Sequence, residues 1–303
     1  MNAIVVLDKP LGMSSLAAAQ KVARALGERR VGHGGTLDPR ASGVLPVCLG
    51  EATKLAAFLL HGDKEYEAEI VFGVETDTLD GEGRVTARQD ASHLEAATVR
   101  AALAGLQGPQ AQTPPMYSAL RSKGRRLYKL ARAGLEVERA PRPIEIFALE
   151  LLAFSNAIAR VRIACSKGTY VRVLAADLGR ALGTGAHLSA LRRTRSGPFT
   201  LAQAVALANV ARAQPLALAA ALPDWPEARL SSGLLDRVRH GRALSAAELG
   251  CPEAPPGTRL RLLTVRGDLA ALAEVRAGGQ VRVLRGFNYG LTDEPLSAIL
   301  PTN

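Results

Sequence analysis

The chain has 303 residues, 48% of them hydrophobic, enough for a substantial core divided between one large domain and a small one. A formal net charge of +10 points to a polyanionic partner, and three scattered cysteines, Cys48, Cys165 and Cys251, exclude a disulfide framework and a zinc ribbon. No apolar run reaches the ~18 residues of a membrane span, and the short run at 3–7 ends in Asp8 and Lys9, so the expectation is a cytoplasmic protein with no signal peptide.

Residues 4–7 read as a short buried strand, followed by a helix capped by Ser14 or Ser15, running to Leu26 and ended by Gly27. Residues 32–43 hold four glycines and a proline and read as a loop. An apolar run at 44–49 precedes a helical stretch at 51–60. Glu65, Glu67 and Glu69 then alternate with Tyr66, Ala68, Ile70 and Phe72, which is the pattern of a half-buried strand. Ser92 and Glu95 have the spacing of a capping box for a helix reaching Leu106. Beyond the prolines at 109, 114 and 115, residues 115–143 read as an exposed basic insertion with at most a short helix near 128–133. Two strands, 144–154 and 157–165, lead through the turn Ser166-Lys167-Gly168 into a helix from Thr169 to Leu182 that Gly183 closes. Thr200 and Gln203 open a further helix. A domain boundary is expected near Trp225, dividing the chain into 1–225 and 226–303, and the short strands at 259–265, 269–274 and 280–287 suggest a small β-barrel-like C-terminal domain.

Charge is not spread evenly. Of the 38 basic residues 31 are arginine, whose planar fork suits phosphates and base edges. Residues 115–145 carry eight basic against three acidic side chains, and 160–195 carry eight against Asp177 alone. Residues 63–95 reverse the sign, with ten acidic against three basic. Such blocks favour an oriented basic face for nucleic acid over a mere codon bias toward arginine.

The glycine-rich loop reads Gly32-His33-Gly34-Gly35-Thr36-Leu37-Asp38-Pro39. It lacks the Gly-Lys-Ser/Thr ending of a P-loop and the third glycine of a dinucleotide fingerprint, and offers instead one acidic side chain on a tightly turned backbone. Together with Leu7-Asp8-Lys9-Pro10-x-Gly12-x-Ser14-Ser15, Leu49-Gly50-Glu51-Ala52-Thr53-Lys54, Asp63-Lys64-x-Tyr66, the run from Gln112 to Leu120, Cys165-Ser166-Lys167-Gly168-Thr169-Tyr170-x-Arg172 and Leu191-Arg192-Arg193-Thr194, this loop resembles the bacterial tRNA pseudouridine-55 synthase family. The blocks keep family order over about two hundred residues; Gly34 departs from the threonine expected there.

The resemblance implies an α+β catalytic domain with a mixed, largely antiparallel sheet, and a C-terminal RNA-binding domain of the PUA type. It implies that uracil is detached from its ribose, turned and rejoined through carbon 5, with no cofactor and no metal. The partner would be the T stem-loop of tRNA, bound by a monomer. Asp38 matches the family's catalytic aspartate; attack on the ribose, attack on the ring and removal of a ribose proton all remain open for it. Arg172 and Tyr170 match catalytic positions beside it. His33, Tyr66, Tyr170 and Leu191 match residues around the flipped nucleotide, and an aromatic ring is a common support for such a base. Arg121, Lys123, Arg125, Arg126, Lys129 and Arg132 in the insertion, with Arg192 and Arg193, are the candidates for RNA backbone contacts. An RNA chaperone would use the same basic blocks but has no need of Asp38, Tyr66, Tyr170 and Arg172. A guide-RNA-dependent synthase fits less well, since the chain follows the stand-alone bacterial pattern.

Overall fold

The computed structural model describes residues 1–118, 120–122 and 124–288. The chain opens with strand β1 (Ala3–Lys9) and helix α1 (Ser15–Ala25). Ser14 caps α1 by accepting from the Ala17 N–H at 3.2 Å, which leaves Ser15 free for another task. The glycine-rich segment is a loop only over residues 34–40. Its flanks are strands, β2 (Val31–His33) and β3 (Ala41–Leu49), which pair with each other. The helical stretch that follows is mostly 3₁₀, ending in one α-turn, α2 (Ala56–Leu59). Strand β4 (Lys64–Phe72) buries every second residue, as its alternation requires.

A small hairpin, β5 (Val74–Thr76) and β6 (Val85–Arg88), precedes α3 (Ala96–Gly105). The expected capping box does not form. Asp90, two residues upstream, takes both the Ser92 N–H and the Ser92 hydroxyl, so the helix starts after Glu95 with no side-chain cap. Strand β7 (Gly108–Gln112) tolerates Pro109 because it lies at the sheet edge. The insertion contains a two-residue-per-strand hairpin, β8 (Arg121–Ser122) and β9 (Arg125–Arg126), then α4 (Leu127–Arg132), anchored by buried Leu127 and Leu130. Lys123 lies outside the described residues, as do the side chains of Arg121, Arg126, Lys129 and Arg132; Arg125 is exposed.

Strands β10 (Arg142–Ser155) and β11 (Ile158–Cys165) are joined through Asn156 and Ala157, both at positive φ. Helix α5 (Val171–Ala181) starts two residues later than its sequence suggests, with Tyr170 at the N-cap. Strand β12 (Ala186–Ser196) is a finding the sequence reading passed over. It sits at the centre of the main sheet, whose order runs β14-β1-β3-β12-β4-β11-β10-β7, where β14 is Val205–Ala206. β13 (Phe199–Thr200) turns back to pair antiparallel with the end of β12, and the helix expected after Thr200 is a single 3₁₀ turn. Pairing is antiparallel except for β1 with β14 and β3 with β12. Along that parallel seam Gly43 stands opposite Arg193 at φ +101°, and a Cβ on it would overlap the Arg193 main chain.

The C-terminal part forms a five-stranded sheet of β15 (Glu227–Arg229), β16 (Leu244–Ser245), β17 (Arg259–Leu263), β18 (Leu269–Val275) and β19 (Gln280–Gly286), with α6 (Ser232–Arg239) against it. One of its faces encloses its own core around Leu235, Leu260 and Val275. Leu263, Leu269, Leu272 and Phe287 instead join Ile4, Val44, Leu55 and Phe199 in an apolar cluster shared with the large sheet. The Lys54 ammonium donates to the Gly286 carbonyl at 3.0 Å and sits over the Phe287 ring, which ties the two parts together. No helix among the described residues is long and apolar enough to cross a membrane.

Candidate active site

The adjacent strands β3, β12 and β4 floor a cleft of about 420 Å³, and the loop at 34–40, the start of α5 and the base of the insertion wall it. Asp38, Tyr66, Tyr170, Arg172 and Leu191 all line it; Ser118 and Leu120 of the insertion reach its edge. His33 does not line it. Its imidazole is half-buried with Nδ1 lacking a hydrogen-bond partner, and burial and the nearby Arg193 charge both lower its pKa.

Asp38 projects from a loop held at both ends. Ser15, freed from capping, accepts from the Leu37 N–H at 2.7 Å and donates to the Leu37 carbonyl at 2.9 Å. Gly12 N–H donates to Pro39 O at 2.8 Å, and Ala41 N–H to Asp38 O at 3.0 Å. Gly34 has Leu59 so close that a Cβ would lie 2.7 Å from the leucine Cβ, so the core leucine occupies the space a threonine side chain would need.

The Asp38 carboxylate is 52% exposed to the cleft and is ion-paired to Arg172 Nη2, whose side chain is 9% exposed. Arg172 Nη1 reaches Asp80 Oδ2 at 3.2 Å. The guanidinium therefore lies between two carboxylates, and the aspartate that faces the cleft is compensated without being covered. Asp80 is itself fixed by the Thr78 hydroxyl at 2.6 Å and the Glu82 N–H at 3.1 Å. Asp80 has no counterpart in the sequence reading: it sits in the acidic block at 63–95, 92 residues from its arginine.

Arg193 corrects an expectation. It cannot touch an RNA backbone, because it is 1% exposed. Its Nε donates to Val44 O at 2.8 Å, and Nη2 and Nη1 to the Gly35 and Thr36 carbonyls at 3.1 and 3.4 Å. Tyr66 stands directly across the β4–β12 register from it, close enough for the phenol and the guanidinium to interact electrostatically. Burial raises the Tyr66 phenol pKa, with the arginine charge opposing that rise. Arg192, by contrast, is half-buried on the other face of β12 and pairs with Asp8 at 2.8 Å. Lys9, fully buried beneath the loop, donates to the carbonyls of Pro10 and Met13, and burial pushes it down to about 8 although Asp38 opposes the shift.

Tyr170 is positioned by Gln112, whose Oε1 accepts from the Tyr170 N–H at 2.8 Å and whose Nε2 donates to the Tyr170 carbonyl at 3.2 Å. Cys48 and Cys165 are buried, with burial pushing their thiols up to about 12 and about 11, which makes them poor nucleophiles. Among the described residues no group of three His, Cys, Asp or Glu side chains could hold a metal ion. The arrangement is a half-exposed carboxylate, Asp38, braced by an arginine that a second cleft carboxylate, Asp80, also holds, beside two tyrosines and a leucine wall. It suits covalent or base chemistry on a flat ring held within the cleft.

Comparison with known proteins gives concordant matches along the chain. Residues 23–171 match the TruB family pseudouridylate synthase (N terminal domain), and residues 172–226 match the tRNA pseudouridylate synthase B C-terminal domain. The tRNA pseudouridine synthase B of Symbiobacterium thermophilum is 52% identical over 248 residues, covering 80% of this chain and 83% of that protein. That of Syntrophotalea carbinolica is 42% identical over 303 residues, covering 96% and 99%. Among solved structures, the crystal structure of a Cbf5-Nop10-Gar1 complex holds a chain that superposes with a TM-score of 0.75 at 27% identity, covering 95% of this chain and 85% of that one.

Proposed function

The chain belongs to the TruB family of pseudouridine synthases, which isomerise uridine in tRNA, and we propose that its target is position 55 in the T loop and that Asp38 is the nucleophile. The observation that carries this reading is the half-exposed Asp38 carboxylate, ion-paired to an arginine whose other face is taken by Asp80. The isomerisation breaks the bond from ribose C1′ to uracil N1 and forms the bond from C1′ to C5; the C5 proton leaves and N1 gains one. No electron or external group is exchanged. A carboxylate that adds to the ribose or to the ring is released unchanged when the new bond forms.

Tyr66 and Leu191 would hold the flipped base from two sides, with Tyr170 toward the ribose and His33 behind the loop. Residues 1–225 would act as the catalytic unit and 226–303 as an RNA-binding unit. The basic insertion, rooted at the cleft edge, would lie along the T arm, with its arginines and lysines and Arg192 on phosphates. The direct test incubates the purified protein with an unmodified tRNA transcript and maps pseudouridine chemically. Product in the T loop is expected; its absence would sink the assignment of position 55.

Tyr66 supplies a graded check. Tyr66→Ala removes the ring and should cost about 1–3 kcal/mol of base stacking. Tyr66→Phe keeps the ring and removes only the hydroxyl beside the buried Arg193 guanidinium. Binding titrations and single-turnover rates should therefore separate them. The alanine variant is expected to lose substrate affinity and rate, and the phenylalanine variant to keep affinity. Equal affinity losses would mean the ring does not stack on the substrate.

A further inference from the structure

We propose that His61 and Lys167 form a phosphate-binding pair on the rim of the cleft, one that takes up a proton together with an RNA phosphodiester. The proposal rests on the RNA-substrate reading above and adds a site to it.

The two side chains come from segments 106 residues apart, and Lys167 Nζ lies 2.7 Å from His61 Nδ1. Both are exposed. Lys167 occupies the tight turn between β11 and α5, whose neighbours Ser166 and Gly168 line the cleft, as does Leu60 beside His61. The pair therefore stands where an RNA strand entering the cleft must pass.

Its electrical surroundings are one-sided. Lys64, behind it, is buried, with its ammonium fixed on the Leu60 and Gly62 carbonyls. Arg259, on β17 of the C-terminal sheet with its guanidinium over Trp225 at 5.3 Å, is near enough for its charge to act on His61. Among the described residues no carboxylate comes within ion-pair distance of Lys64, Lys167 or Arg259. Asp63 is the acid in this segment, and its charge acts on Lys64.

A lysine can donate to Nδ1 only while that nitrogen carries a lone pair, so the pair as seen holds one positive charge. Partial burial and the charges of Lys167, Arg259 and Lys64 all lower the His61 pKa. A phosphate oxygen placed between the two would accept from the lysine and from a protonated imidazole. It would reverse the sign of the local potential and raise that pKa. Protonation of His61 is then linked to binding. Affinity should be highest on the acid side of the histidine range and should fall as pH rises through the pKa of the bound form.

The test measures binding of a T stem-loop RNA by the full chain over a series of salt concentrations and pH values. Lys167→Gln should lower the log–log salt slope by about 0.7–0.9, the release expected for one phosphate, which is about five- to eightfold in affinity between 1 M and 0.1 M salt. Arg100→Gln, the same charge change at an exposed position on α3, should not reproduce it. His61→Asn should abolish the rise in affinity on the acid side. The single-turnover rate at saturating RNA should be unchanged in Arg100→Gln, which marks that control as folded and competent. An unaltered slope in Lys167→Gln, an equal loss in Arg100→Gln, or an unaltered pH dependence in His61→Asn would overturn the pair. Failure of the unmodified chain to bind the RNA at all would instead overturn the substrate reading.

Discussion

Asp38→Asn is expected to lower turnover by about 10⁴–10⁶-fold, the scale on which loss of a catalytic nucleophile is felt elsewhere, while tRNA binding changes little. The asparagine keeps the size of the side chain and removes the charge that, on the proposed mechanism, adds to carbon. Binding should survive because affinity for RNA comes largely from phosphates, which the cleft aspartate does not touch. Folding should survive as well. The carboxylate is 52% exposed, so its ion pair contributes at most about 1 kcal/mol. Its removal does not strand Arg172, which keeps Asp80 at 3.2 Å. Single-turnover kinetics and filter binding on the same preparation check this. A loss of affinity parallel to the loss of rate would show that Asp38 shapes the cleft and is not its nucleophile.

Most of the scaffold around that aspartate is legible in residues whose neighbours enforce a pattern. β4 is readable because Glu65, Glu67 and Glu69 alternate with Tyr66, Ala68 and Ile70, and the sheet buries one face of it. β12 is not. Its sequence carries five polar or basic residues in its second half, and two irregularities, between Leu188 and Ala190 and between Arg193 and Arg195, break the alternation where the cleft replaces packed core. The loop reads too long because glycine and proline mark turns but say nothing of strands that pair right up to them, as β2 and β3 do. Ser92 reads as a cap because spacing ignores competition, and Asp90 wins the hydroxyl.

The site divides in the same way. Asp38, Tyr66, Tyr170, Arg172 and Leu191 are visible through motifs, and the structure gathers them around one cleft. Asp80 escapes notice, and Ser15 is read as a helix cap or part of a motif and not as the anchor of the loop, because what matters is what they hold. A carboxylate in an acidic block has no distinctive spacing, and the spacing of a serine beside a helix start does not tell which loop it ties down. Arg193 is misread for a related reason: sequence gives the charge of an arginine and not its burial. In Leu191-Arg192-Arg193-Thr194 the two arginines point to opposite faces of one strand, so the first meets solvent and Asp8 and the second meets the underside of the catalytic loop.

That second arginine leads to the other large expected effect. Arg193→Lys should yield a folded protein whose turnover at saturating RNA is about 100-fold lower, the cost of misplacing a reacting group by about 1 Å, with little change in the RNA concentration for half-saturation. One ammonium cannot reproduce a fork that serves Val44, Thr36 and Gly35 together, so the loop backbone two and three residues before Asp38 loses its fixed points. Arg193→Met should be worse. Replacing a buried ion pair by apolar residues is often neutral or stabilising, but among the described residues no carboxylate pairs with Arg193. What the methionine abandons is a set of buried carbonyl oxygens, each costing about 1–3 kcal/mol when left without a donor. The unfolding free energy of Arg193→Met should thus fall further than that of Arg193→Lys, by urea titration at matched temperature. A purely structural arginine would show the stability losses alone, with normal turnover from whatever fraction is folded. Normal turnover in a fully folded Arg193→Lys would mean that Ser15, Gly12 and the Ala41 turn suffice to aim Asp38.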